Sequence, residues 1–328
     1  MGKKTMSDGK RMRTTLIDRI GMGLAGWLVS LTVCAQDALP VRAKADRRSA
    51  PVFVSREIRA LLQWVPVDPA VPATFRNVQE NCIDDPQGSL TPFFERLAQP
   101  DRPLRIVHIG DSHIRGHVLP YVMRCCLEED FGAEAVEPLP VSYQTSGLAE
   151  ETGRAGVVYH ILGVNGATCD TFATPDRLRQ IIRLHPDLLV LSFGTNEAHA
   201  RHYEAAVHCQ AMDRLIAAVR EECPDACFLL TTPPGAYVRN GRKGKVINPR
   251  TPLVVEAERR YAARHGLALW DLYGIAGGAT SACRNWANGG FFQRDRIHFT
   301  HEGYRVQALM FHEAFIKSYN QYVADRNQ

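Results

Sequence analysis

The sequence predicts an α/β protein built on a five-stranded parallel sheet with helices on both faces. Two observations carry that expectation. From residue 104 onward, short apolar runs of strand length recur without polar alternation, as in strands buried on both sides. Between them stand longer stretches with helix start signals. Strands separated by helices call for parallel pairing through crossover connections.

The strand candidates are Leu104–Ile109, Val157–Leu162, Leu188–Phe193, Cys227–Thr231 and Leu267–Asp271. The first helix candidate, Val118–Glu129, has Pro120 in its first turn. Thr174-Pro175 and Thr251-Pro252 each read as a cap residue followed by proline at the first helical position, opening helices that end near Leu184 and His265. Tyr203–Glu222 is a long helix candidate, and Glu302–Val323 closes the chain as an amphipathic one. In such sheets ligands gather at the carboxyl ends of the strands. Gly110-Asp111-Ser112-His113 and Gly194-Thr195-Asn196-Glu197 fall there.

The stretch "IGDSHIR" after the first strand has three readings. Asp or Ser after a strand often caps a helix, which explains a lone Gly-Asp-Ser well. His108, Asp111, His113 and His117 could instead gather a divalent ion. Two-metal phosphoesterases, however, also need an Asp-x-His on an earlier strand and a Gly-Asn-His-Asp/Glu later. Neither occurs, and HExxH and the phosphate loop are missing as well. No metal or cofactor is expected.

The third reading is a nucleophile. A serine hydroxyl needs a base, and the base needs a carboxylate to set its tautomer. "RDRIHFTHEGY" supplies Asp295 and His298 three residues apart, a spacing that a tight turn can close while leaving Nε2 for Ser112. His301 is a rival base, without a carboxylate three residues before it. An ester hydrolase further needs donors for the oxyanion. The Ser112 and Gly166 backbone N–H groups and the Asn196 amide are the candidates.

In this arrangement the chain resembles the SGNH (GDSL-like) hydrolase superfamily. Its four blocks match in order over roughly residues 104–320: "GDSH" with Ser112, "GVNGA" with Gly166, "GTNE" with Asn196 and "DRIH" with Asp295 and His298. The resemblance implies a three-layer α/β/α sandwich and a metal-independent serine esterase. "GDSH", "GVNGAT" and "HFTHEGY" further resemble exported bacterial carbohydrate esterases, especially those that remove O-acetyl groups from peptidoglycan. An acylated carbohydrate is thus the implied partner. A lipase-like esterase or acyltransferase of the same fold is an alternative, as is a non-catalytic glycan-binding protein on that scaffold. The βα units occupy the intervals between blocks, leaving no room for an inserted carbohydrate-binding domain.

Other residues have weaker claims. Asp111 suits the cap that points Ser112 outward. His113 is expected as an exposed turn residue that could line the site. Asn165 could bond within the site or turn the chain, and Glu197 could anchor Asn196 or pair with a nearby base, although a structural role suits it better. Trp270 and Trp286 could stack on a sugar, although buried aromatics are commoner. Arg239, Arg242, Lys243 and Lys245 surround the turn signal Asn240-Gly241 and could face an anionic glycan, although such runs are usually solvated loops.

With 328 residues, 45% hydrophobic and 23% charged, the chain has the composition of an ordinary globular protein. Its formal charge of +4 traces to the first 35 residues, where Lys3, Lys4, Lys10, Arg11, Arg13 and Arg19 stand against Asp8 and Asp18. The remainder is balanced, so nothing points to nucleic acid. That basic start, the apolar run Ile20 to Val33 and the "VCA" site read as an export signal over 1–35. The mature protein is expected from Gln36, periplasmic or secreted and without a membrane span; a retained anchor is the alternative. Residues 36–103 read as a linker and a proline-rich extension, with short helices at Ser55–Trp64 and Thr91–Leu97, packed on a main domain of 104–328. Eight cysteines follow Cys34, and one or two disulfides are expected among them.

Overall fold

A computed structural model describes residues 62–138, 147–241 and 244–328. The proposed export signal, most of the helix expected over 55–64, and Arg242 and Lys243 lie outside the described residues.

Along the chain, β1 (Ile83–Asp84) and α1 (Thr91–Ala98) precede β2 (Pro103–Gly110), α2 (Ser112–Arg115) and α3 (Val118–Phe131). Next come β3 (Gly156–Gly163), α4 (Cys169–Phe172), α5 (Pro175–Ile182), β4 (Leu188–Ser192), α6 (Thr195–His199) and α7 (Ala205–Glu222). The chain continues through β5 (Cys227–Thr231), the antiparallel ribbon β6 (Tyr237–Arg239) and β7 (Lys245–Ile247), α8 (Thr251–His265) and β8 (Ala268–Trp270). Finally α9 (Leu272–Ile275) and α10 (Gly278–Asn288) lead to α11 (His301–Asn327).

The main sheet has six strands in the order β1-β8-β5-β4-β2-β3. The five expected strands are parallel. The sixth, β1, pairs antiparallel with β8 through Ile83↔Trp270 and Asp84↔Leu269. Only two residues long, β1 has no periodicity to betray it. The chain leaves β2 for β3 on one side, then returns to β4 on the other. That reversal opens a crevice at the carboxyl ends of β2 and β4.

Successive strand residues serve opposite cores. Ile106, Tyr159, Val190 and Leu229 pack with Phe94 of α1, Met123 of α3 and Phe315 of α11. Val107, Leu189, Leu191 and Leu230 pack with Phe172 of α4, Leu215 of α7 and Tyr261 of α8. The outcome is three layers, helix–sheet–helix. At the start of α8, Arg250 rather than Thr251 holds the cap position, so Pro252 falls one place further into the first turn.

Residues 62–82 run irregularly, and side chains of the late helices hydrogen-bond their backbone. Asn320 exchanges two bonds with Val65, at 3.0 and 2.9 Å. Glu313 accepts from the Ala70 N–H at 2.9 Å, and Asn285 pairs with the Arg76 backbone in both directions. Prolines interrupt any ladder here, so helix side chains satisfy the donors and acceptors instead.

The eight cysteines after Cys34 are all free thiols, correcting the expectation of one or two disulfides. Cys169, Cys223, Cys227 and Cys283 are buried among apolar side chains, and a core of this size needs no covalent staple.

Candidate active site

β2 ends at Gly110, where no larger residue fits: a Cβ would lie 2.6 Å from the Ser192 carbonyl oxygen and 2.4 Å from Ile114. The chain then turns into α2. Asp111 caps it, accepting the His113 N–H at 2.8 Å, and Ser112 becomes the first helical residue. The N–H of a residue in that position has no intrahelical acceptor.

The loop from Phe291 to Thr300 approaches from the other end of the sequence. It closes as a narrow hairpin through Thr300 N–H to Phe291 O at 2.7 Å and Gln293 N–H to His298 O at 2.8 Å. At its tip Arg296 adopts a left-handed φ of 58°. Asp295 Oδ1 accepts the Ile297 and His298 N–H groups at 2.9 and 3.0 Å, while Oδ2 lies 2.6 Å from His298 Nδ1. One carboxylate thus builds the turn and orients the ring. Burial pushes the Asp295 carboxyl up, but these hydrogen bonds outweigh it and hold the group below its ordinary range. His298 Nε2 faces Ser112 Oγ at 2.8 Å. His301 opens α11 as an exposed residue and has no hydrogen bond to Ser112.

The third part follows β3. Val164 N–H donates to Gly110 O at 3.0 Å, tying this turn to the end of β2. A bond from Ala167 N to Val164 O closes a four-residue turn, with Gly166 at its third position and φ +74°. That conformation favours glycine, and the space beside Gly166 is open. Asn165 sits exposed on the turn.

Asn196 occupies the first turn of α6, after β4. Its amide donates to Ala167 O at 2.9 Å and to Asp111 Oδ2 at 3.2 Å, linking the Gly166 turn to the Ser112 turn. Both amide hydrogens are engaged, whereas the sequence suggested an open donor. Glu197 is buried and accepts from Cys169 N–H at 2.8 Å and Gly194 N–H at 2.9 Å, clamping the turns on either side of Asn196. Burial, reinforced by the Glu197 charge against the pull of the His113 N–H, pushes the Asp111 carboxyl up to about 8.

His113 is buried rather than exposed. The α2 turn directs it inward, where Nδ1 lies 3.0 Å from Tyr304 OH and the ring stands 5.5 Å from that of His298. Burial drives its pKa down to about 3, so it is neutral beside His298. His108 is also buried, held between Tyr159 OH at 2.8 Å and Ser192 Oγ at 2.7 Å. Among the described residues no group of three or more His, Cys, Asp or Glu side chains converges as a metal site. Trp270 and Trp286 are core residues bonded to Asn81 and Pro234, unavailable for stacking on a sugar.

The model of the GDSL-like Lipase/Acylhydrolase family matches residues 109–306, which span the Ser112, Gly166, Asn196 and Asp295–His298 segments. Among solved structures, the chain is similar to a peptidoglycan O-acetylesterase, with 19% identity and a TM-score of 0.60 over 74% of this chain and 99% of that one. It is more distantly similar to the acetyl xylan esterase AlAXEase, with 17% identity and a TM-score of 0.46 over 63% of this chain and 97% of that one. A catalytic mutant of the acetylxylan esterase Axe2 from Geobacillus stearothermophilus gives 16% and 0.43 over 66% and 94%. No curated protein matches. The family match covers more than half of the chain, and the fold agrees with the first of these structures. This chain belongs to the GDSL-like lipase/acylhydrolase family and is a carboxylic ester hydrolase.

Proposed function

We propose that the protein is a serine esterase that removes O-acetyl groups from a carbohydrate, with peptidoglycan as the leading candidate, through Ser112, His298 and Asp295. The observation that carries this reading is the unbroken path from Ser112 Oγ to His298 Nε2 at 2.8 Å and from His298 Nδ1 to Asp295 at 2.6 Å. Ser112 Oγ attacks the acetyl carbonyl while His298 takes its proton. The ionised Asp295 steadies the resulting imidazolium. The tetrahedral oxyanion is held by the Ser112 and Gly166 N–H groups and by Asn196 once it releases Asp111, its longer bond. The bond from the acetyl carbon to the sugar oxygen then breaks as His298 protonates that oxygen, releasing the sugar hydroxyl and leaving the acetyl group on Ser112. Water, deprotonated by the same imidazole, attacks the acyl-serine; the acyl–Oγ bond breaks, His298 returns the proton to Ser112 Oγ, and acetate leaves. No step calls for a metal.

The carbohydrate reading draws support from the fold shared with a peptidoglycan O-acetylesterase. Export draws support from the basic and apolar start of the sequence. Among the described residues no helix is long and apolar enough to cross a membrane.

The deciding experiment combines fluorophosphonate labelling with hydrolysis of p-nitrophenyl acetate. The tag should map to Ser112, and folded Ser112→Ala should lose turnover by roughly 10⁴-fold or more. Turnover retained in that variant would overturn the mechanism. N-terminal sequencing of the mature protein tests export, with Gln36 as the expected first residue.

A further inference from the structure

The body of the protein is electrically balanced, yet the loop that carries Asp295 and His298 also carries Arg294 and Arg296, and the ribbon β6–β7 beside it carries Arg239 paired with Lys245. The ribbon β6–β7 is fastened to that loop at three points. Tyr237 N–H donates to Arg296 O at 2.9 Å, Lys245 Nζ donates to Arg294 O, and the Arg296 guanidinium lies 4.9 Å from the Tyr237 ring centroid. The same ribbon reaches α6 on the other side of the crevice, where His199 Nε2 lies 3.2 Å from Tyr237 O. The cationic ribbon therefore spans the two elements that present His298 and Asn196.

All four cations are exposed, and among the described residues none forms an ion pair with a carboxylate. Asp295, the acid within the loop, is already engaged with His298. Arg296 keeps its left-handed φ of 58° although a non-glycine residue is strained there. Its guanidinium rests against the Tyr237 ring, and its in-plane N–H groups have no acceptor among the described residues. A guanidinium held that way presents its fork to a carboxylate.

We propose that the ribbon β6–β7 and the 294–296 turn form an anion-binding rim beside Ser112, one that takes a carboxylate on the same glycan that carries the ester. This rests on the esterase reading and names its substrate class: an acidic O-acylated glycan rather than a neutral one. The carboxylate can belong to an acidic sugar or to a peptide attached to the glycan; the chemistry of recognition is shared.

The test compares three substrates: neutral acetylated xylo-oligosaccharides, acetylated oligogalacturonates and O-acetylated muropeptides. The full chain should favour one or both anionic substrates through a lower KM, and the preference should weaken as salt rises. Arg296→Asn keeps a residue that tolerates left-handed φ, while Lys245→Gln removes a charge outside the loop. Each should raise KM for the favoured anionic substrate roughly tenfold relative to the neutral one, with a smaller effect on kcat. The galacturonate and muropeptide arms tell the two carboxylate sources apart. Equal change on neutral and anionic substrates, or no preference in the unmodified protein, overturns the rim. Failure of the esterase reading looks different, because turnover of p-nitrophenyl acetate would then survive Ser112→Ala.

Discussion

Ser112 and His298 are 186 residues apart in sequence and 2.8 Å apart between Oγ and Nε2. Two local structures bring them together. One is the turn where β2 runs into α2, and the other is the hairpin loop that precedes α11. Each is held by its own aspartate, Asp111 in the first and Asp295 in the second.

The Asp295 carboxylate should be replaceable in the fold but not in the chemistry. Asparagine retains the acceptor for the Ile297 and His298 N–H groups, so the turn persists. Its amide then meets His298 Nδ1 as a donor and imposes the wrong tautomer. Asp295→Asn should lower kcat roughly 10³- to 10⁴-fold with little change in thermal midpoint. Steady-state kinetics and a melting curve check both halves.

Asn196 bridges the Ser112 and Gly166 turns and is the proposed side-chain donor to the oxyanion. Asn196→Ala should lower kcat on the order of 100-fold or more, with a smaller effect on KM. Because the amide also bonds Ala167 O and Asp111, stability should fall by about 1 kcal/mol, read from urea denaturation. A variant that raised KM alone would place Asn196 in ground-state binding instead.

Asp111 should give stability a pH dependence of defined sign. Folding raises its carboxyl from the ordinary carboxylate value to about 8, mainly through burial. Across that interval the native state holds a proton that the unfolded chain has released. Its stabilising contribution is therefore complete below the unfolded value and is lost as pH rises through about 8. The urea midpoint of the unmodified protein should fall between pH 6 and 9 more steeply than that of Asp111→Asn. Parallel slopes would contradict this.

The irregular segment before β1 should depend on the polar face of α11. Asn320→Ala removes both bonds to the Val65 backbone at a buried position and should cost about 1–3 kcal/mol. Limited proteolysis should show faster cleavage near residue 65, with turnover of p-nitrophenyl acetate preserved because the segment lies outside the Ser112–His298 pair.

The sheet was legible because strands buried on both faces need unbroken apolar runs, and five such runs separated by helical stretches leave few topologies. The strand β1 and the ribbon β6–β7 were not, because two or three residues hold no period and their partners are remote in sequence. The Asp295–His298 pair could be read from its spacing, since a three-residue turn closes locally. The inward turn of His113 could not, since it depends on Tyr304 in a distant helix. The disulfide expectation failed because an even cysteine count says nothing of distance, and half of these thiols are buried.

The sequence by itself determined the parallel α/β architecture, the family of ester hydrolases and the residues proposed to carry its chemistry. All three are encoded in local pattern and residue type. Only the tertiary structure decided which groups are free to act: that Ser112 meets His298, that the Asn196 amide is already engaged, and that Asp111 and His113 are buried. Distance and solvation are properties of chain segments brought together by packing. They set hydrogen bonds and proton affinities that no stretch of sequence contains alone.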